Sequence, residues 1–133
     1  MPVSVLGLDG NPWTQRDMDG SSNNVVTTYH QLGFTGSYTT GQHGDVLDLS
    51  GVAAQVPTGM LPLEITESMN GPAGSFSELG GYLQIQKGNA LNNNRIKFFA
   101  AGGAEIGSQT YAAANITADL ITLAITWRKL LQN

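Results

Sequence analysis

Turn-forming residues interrupt this chain every 8–12 residues or so, and that spacing narrows its possible folds more than any other feature. Asp9-Gly10-Asn11-Pro12, Gly41-Gln42-His43-Gly44, Asn70-Gly71-Pro72-Ala73-Gly74-Ser75, Gly80-Gly81, Asn89 to Asn94 and Gly102-Gly103 all punctuate it. The runs between them are short and rich in Val, Ile, Thr, Tyr and Phe, residues whose branched or flat side chains suit a pleated surface. A long helix has no room in such a pattern. Seven or eight short strands do, which points to an all-β fold: an antiparallel β-sandwich of jelly-roll-like kind, with an extended N-terminal arm.

The strands follow from alternation. Val25 to His30 and Phe34 to Thr40 read as strands, and Gly41 and Gly44 are free to take positive φ where the chain reverses. In Asp45 to Leu49, Leu47 and Leu49 share one face. Gly51 to Pro57 holds a short helical turn that Pro57 ends. From Leu61 to Met69, strict alternation turns Leu61, Leu63, Ile65 and Met69 inward, with Pro62 marking a strand start or sheet edge. Leu83 and Ile85 point inward from Tyr82–Lys87, as do Ile96 and Phe98 from Arg95–Ala101. The longest run, Asp119 to Arg128, puts Ile121, Leu123, Ile125 and Trp127 on one face. A 3.6-residue period also fits it, but its Ile and Thr content favours the strand.

With 133 residues the chain is long enough for a single domain with its own core. Residues 1–24 read as an arm too short to bury a core, and residues 25–133 as the β-domain. Cysteine is absent, which excludes disulfides and thiolate chemistry. Charged residues make up only 12% of the chain, against about 25% in a typical soluble domain. Surfaces that carry so little charge suit a protein packed against neighbours. The net charge is −4, and the six Lys and Arg are scattered, so a nucleic-acid partner is not expected. Met1 to Val5 shows no signal-peptide pattern, and no run approaches the length of a membrane span. No membrane partner is expected, and synthesis in the cytoplasm is.

Candidate chemical sites fall away one by one. Asp17-x-Asp19-x-Ser21-x-Asn23 spaces oxygen ligands as a calcium loop does. It has Ser22 where the loop needs Gly and Thr28 where it needs Glu. His30 and His43 sit in separate elements without a carboxylate at ligand spacing, so both read as surface or turn residues. Glu64 and Glu67 lie three apart on a strand and point to opposite faces, which rules out a paired-carboxylate glycosidase. Gly80-Gly81 and Gly102-Gly103 lack the phosphate-loop pattern. No catalytic residue, cofactor or metal is expected.

The large aromatic rings remain. Trp127 belongs to an alternating strand and so to the core, whereas Trp13 lies in the loop-like arm and reads as an intermolecular anchor. With it, Val3, Val5, Leu6, Leu8, Pro12 and Arg16 form the candidate interface. On this reading, deleting residues 1–24 abolishes binding and leaves the β-domain folded.

Gly36-x-Tyr38-x-Thr40-Gly41…Gly44-Asp45-x-Leu47-Asp48-Leu49-Ser50 resembles a pattern of small tailed-bacteriophage virion proteins. Gly80-Gly81-Tyr82 and Gly103-Ala104-Glu105-Ile106…Thr110-Tyr111-Ala112-Ala113 look like its continuation. The likeness spans about residues 33 to 128. It implies a protein of the capsid surface that decorates and cements the shell by bridging major capsid protein subunits, often as a homotrimer, with no catalytic residues. Two other readings stay open: a carbohydrate- or receptor-binding module of a fibre or tail, and a head-completion or tail-tube subunit.

Overall fold

The computed structural model describes residues 2–14, 18–19, 25–41 and 44–129, with backbone alone at 18–19. Ten strands run in chain order: β1 (Val3–Leu6), β2 (Met18–Asp19), β3 (Val25–Phe34), β4 (Ser37–Tyr38), β5 (Asp45–Leu47), β6 (Met60–Asn70), β7 (Tyr82–Gln86), β8 (Asn94–Phe99), β9 (Gln109–Thr110) and β10 (Leu120–Lys129). Among the described residues these strands are joined by one short helix, α1 (Ser50–Ala53), and a 3-10 turn at Ile116–Ala118. The fold is all-β, and every described strand pair is antiparallel.

The main sheet has the order β1-β3-β10-β6, with β2 beside β3, and a three-stranded sheet has the order β5-β8-β7. β4 and β9 pair separately. Alternation along β10 buries Ile121, Leu123, Ile125 and Trp127, the face expected from sequence, and strand pairing settles the rival helical period. The small sheet brings Leu47, Leu83, Ile96 and Phe98 into the same core. Across the core, Phe34 of β3 meets the ring of Phe98 at 5.7 Å, edge to face.

Two buried polar clusters organise this core. In one, the Trp127 indole N–H donates to Thr28 Oγ1 at 2.9 Å, and His30 Nε2 lies 2.8 Å from the same oxygen. His30 Nδ1 faces the carbonyl of Leu6 at 3.2 Å. A carbonyl only accepts, so Nδ1 carries the proton and the Thr28 hydroxyl donates to Nε2. His30 is fully buried, whereas the sequence suggested a surface residue. Its partners on β1, β3 and β10 make burial possible without an orphaned polar atom. In the second cluster, Tyr111 donates to Asp45 and Tyr38 to Glu105. The Asp45 carboxylate also accepts from Thr39 N–H, and that of Glu105 from Gly41 N–H. These bonds staple the turn after β4 to the loop after β8.

One expectation from sequence is overturned on β6. Leu61 and Leu63 are 47% and 57% exposed, not inward. The register explains it: Glu64 pairs with Thr126 but Pro62 pairs with Trp127, so Leu63 is an extra residue in a β-bulge. One inserted residue exchanges the two faces of everything before it. Ile65 and Met69 keep their inward positions beyond the bulge, and Met60 takes the buried place before it.

Gly41 and Gly44 take φ of +128° and +57°, as the turn requires. A Cβ on Gly44 would sit 2.5 Å from the Ile96 carbonyl oxygen. Gly44→Ala is therefore expected to cost about 2–4 kcal/mol in chemical denaturation. Gly51→Ala, in α1 with open space around it, is expected to be neutral or to stabilise by up to about 1 kcal/mol.

Candidate interface

The described residues 2–14 of the expected arm pack onto the β-domain. Val3–Leu6 pairs with Gln31–Phe34 as the edge of the main sheet, and Val3 is buried. The turn at Asp9–Pro12 forms as expected: Asn11 N–H donates to the Asp9 carboxylate, and Gly7 N–H to the Asn11 carbonyl. It folds the chain back so that Trp13 packs edge-on against His30, ring centroids 5.1 Å apart. Trp13 is 6% exposed, so the expected intermolecular anchor belongs to the core. Among the described residues its indole N–H meets no hydrogen-bond partner. The physical reason is the β1–β3 pairing, which places the loop after β1 directly over the histidine.

Of the other expected interface residues, Val5, Leu6 and Pro12 join Trp13 in a cleft of about 290 Å³, closed on its far side by Asp48, Val52 and Gln55. Leu8 stands apart in the turn, 49% exposed. Arg16 and His43 lie outside the described residues, as do Asp17, Ser21 and Asn23 of the calcium-like loop. Among the described residues, no group of three His, Asp or Glu side chains is placed to hold a metal ion. Among these same residues no helix is long and apolar enough to cross a membrane.

A surface that the sequence did not single out is the outer face of the main sheet. Strand register sets three rows there: Thr27–Thr126–Glu64, Tyr29–Ala124–Thr66 and Gln31–Thr122–Ser68. Glu64 alone among these nine is charged, where about a quarter to a third is usual for a soluble surface. Short threonines, a serine and an alanine around Tyr29 leave a flat surface with little side-chain entropy to lose on contact. The signal in the sequence was the polar half of each alternation, Thr-rich instead of Lys- and Glu-rich.

Three titratable groups of the second polar cluster are shifted by their surroundings. The Tyr38 hydroxyl, donating to Glu105, holds that carboxyl below its usual range, with Gly41 N–H and Lys97 assisting. Burial, then the neighbouring carboxylates, pushes Tyr38 and Tyr111 well above the ordinary tyrosine value. Comparison with protein-family models, curated proteins and solved structures finds no match.

Two measurements follow. A lowered folded pKa means that Glu105 contributes stability in full above the ordinary carboxylate value, about 4.3, and loses it as pH falls below that. The raised tyrosines contribute below their ordinary value of about 10 and lose it as pH rises past that. Urea midpoints are therefore expected to drop at both extremes, with Glu105→Gln flattening the acid limb. Trp13→Ala is expected to cost about 3–5 kcal/mol. Trp13→Phe keeps the packing on His30 and removes an unpartnered donor, so its stability is expected within about 1 kcal/mol of the parent.

Proposed function

We propose that this chain is a non-catalytic structural protein of a phage particle that decorates the capsid and braces it by bridging major capsid protein subunits. The observation that carries this reading is the flat, nearly uncharged outer face of the main sheet around Tyr29, Ala124 and Thr122. Such a face loses little hydration energy on burial, and it excludes no neighbour by charge. The low overall charge and the likeness to tailed-phage virion proteins point the same way. In this reading the two sheets form a sandwich, of the jelly-roll-like kind, whose outer layer is the contact surface. Copies associate with one another, as a trimer where the lattice has threefold axes, and many weak contacts add up to firm attachment.

A glycan-binding module of a fibre or tail is the second reading, supported by Tyr82. That ring is 41% exposed and stacked on Phe99, with centroids 5.3 Å apart. A free aromatic face of this kind suits a sugar ring.

Co-expression with a tailed-phage major capsid protein provides the test. The chain is expected to sediment with assembled shells at a fixed stoichiometry and to raise the temperature at which they open. Ala124→Lys and Thr122→Glu are expected to abolish attachment while leaving the far-UV circular dichroism unchanged. Free shells beside soluble parent protein would overturn the proposal. Glycan-array binding that is lost in Tyr82→Ala would replace it with the second reading.

A further inference from the structure

The β6 bulge that turns Leu61 and Leu63 outward also builds a groove. Leu61, Pro62, Leu63, Ala90 and Leu91 form its apolar walls, Lys87 and Arg128 its cationic rim, and its volume is about 300 Å³. Among the described residues no acidic side chain lines it. An apolar cavity of about half that size holds a benzene ring, so one branched side chain fits with room for a neighbouring group. The loop wall is fixed from within. Buried Asn94 accepts from Gly88 N–H and donates to the Leu91 carbonyl, while Leu49 N–H donates to the same carbonyl.

The opposite end of the molecule carries a shape of matching chemistry. Leu79 is 64% exposed, more than any other large apolar side chain described, and the carboxylate of exposed Glu78 stands beside it. The turn that presents them is rigid. Leu79 N–H donates to the Ser75 carbonyl, Gly81 N–H to that of Phe76, and Ser77 is held by the Asp119 carboxylate through both its N–H and its hydroxyl. Asp119 adjoins Leu120, which pairs with Asn70 at the far end of β6. β7, Tyr82–Gln86, runs between the turn and Lys87 of the groove, so the two stand a strand length apart, roughly 15 Å at about 3.3 Å per residue. It cannot fill the groove of its own chain.

We infer that Leu79 and Glu78 of one copy dock in the groove of a second copy, leucine on Leu61, Leu63 and Leu91, carboxylate between Lys87 and Arg128. Knob and socket are different surfaces, so the contact is head-to-tail: it closes into a ring where the rotation allows and otherwise extends as a row. Both surfaces are preformed, which limits the entropy lost on contact. The inference rests on the self-association proposed above but not on the shell, and its test needs no capsid.

The parent chain lacks cysteine, so directed cross-linking reads the contact. Full-length Leu63→Cys mixed with full-length Leu79→Cys under mild oxidation is expected to give a disulfide-linked dimer. Leu63→Cys mixed with Leu120→Cys is expected to give none. In light scattering over a concentration series, Glu78→Lys and the double variant Lys87→Glu/Arg128→Glu are each expected to weaken self-association about tenfold or more. An equimolar mixture of the two is expected to recover it, because each socket then meets a knob of opposite charge. All these positions are exposed or on the groove rim, and circular dichroism checks that each variant is folded. A parent chain that stays monomeric, association unchanged in both charge variants, or equal cross-linking through Leu120→Cys would overturn the inference.

Discussion

Pairing of β10 on both its edges is the constraint from which the rest of the structure follows. Its inward residues are almost completely buried, and Trp127 reaches beyond packing to hydrogen-bond Thr28 on the next strand. The indole donor fixes the rotamer of Thr28, which in turn orients His30 through its hydroxyl. His30 then holds the Leu6 carbonyl and supports Trp13. A single line of hydrogen bonds and ring contacts thus runs from the central strand to the sheet edge. Because Trp127, Thr28 and His30 are fully buried, loss of one leaves the next unsatisfied, which costs more than the bond itself contributes.

The second polar cluster does for the small sheet what the first does for the large one. Tyr38, Tyr111, Phe34, Phe76 and Phe98 meet edge to face, and the two tyrosine hydroxyls end on Asp45 and Glu105. Those carboxylates also hold the backbone of the turn that follows β4. Here the glycines and the acids belong to one device: Gly41 and Gly44 allow the turn, and Asp45 and Glu105 satisfy its exposed N–H groups. Asp45 and Glu105 thus serve as acceptors that hold this turn in place.

Much of the fold was legible in the residues, and the failures share a cause. The β10 face, the β8 face, Leu47 with Leu49, and the short helix before Pro57 all follow from local pattern. What local pattern does not carry is the partner strand. Trp13 looked like an anchor because nothing near it in sequence offers a core, and its core is His30, brought by β1 pairing. His30 looked like a surface residue because the oxygens that satisfy it come from Thr28 and the distant Leu6 carbonyl. Leu61 and Leu63 looked buried because alternation is read from one strand, whereas the bulge shows only against β10. The flat sheet face was present in the sequence as a run of outward threonines. It takes the strand register to set Thr27, Tyr29 and Gln31 beside Thr126, Ala124 and Thr122.

Pro62 and the bulge beside it have one more consequence. Among the described strands β6, eleven residues long, lies at the edge of the main sheet, the kind of template along which sheets grow without limit into fibrils. Proline removes a backbone donor there, and the bulge breaks the even ladder spacing that an incoming strand would need. Leucines can then be displayed at that edge for a side-chain contact of finite extent, while backbone-templated aggregation is denied a straight run to start from.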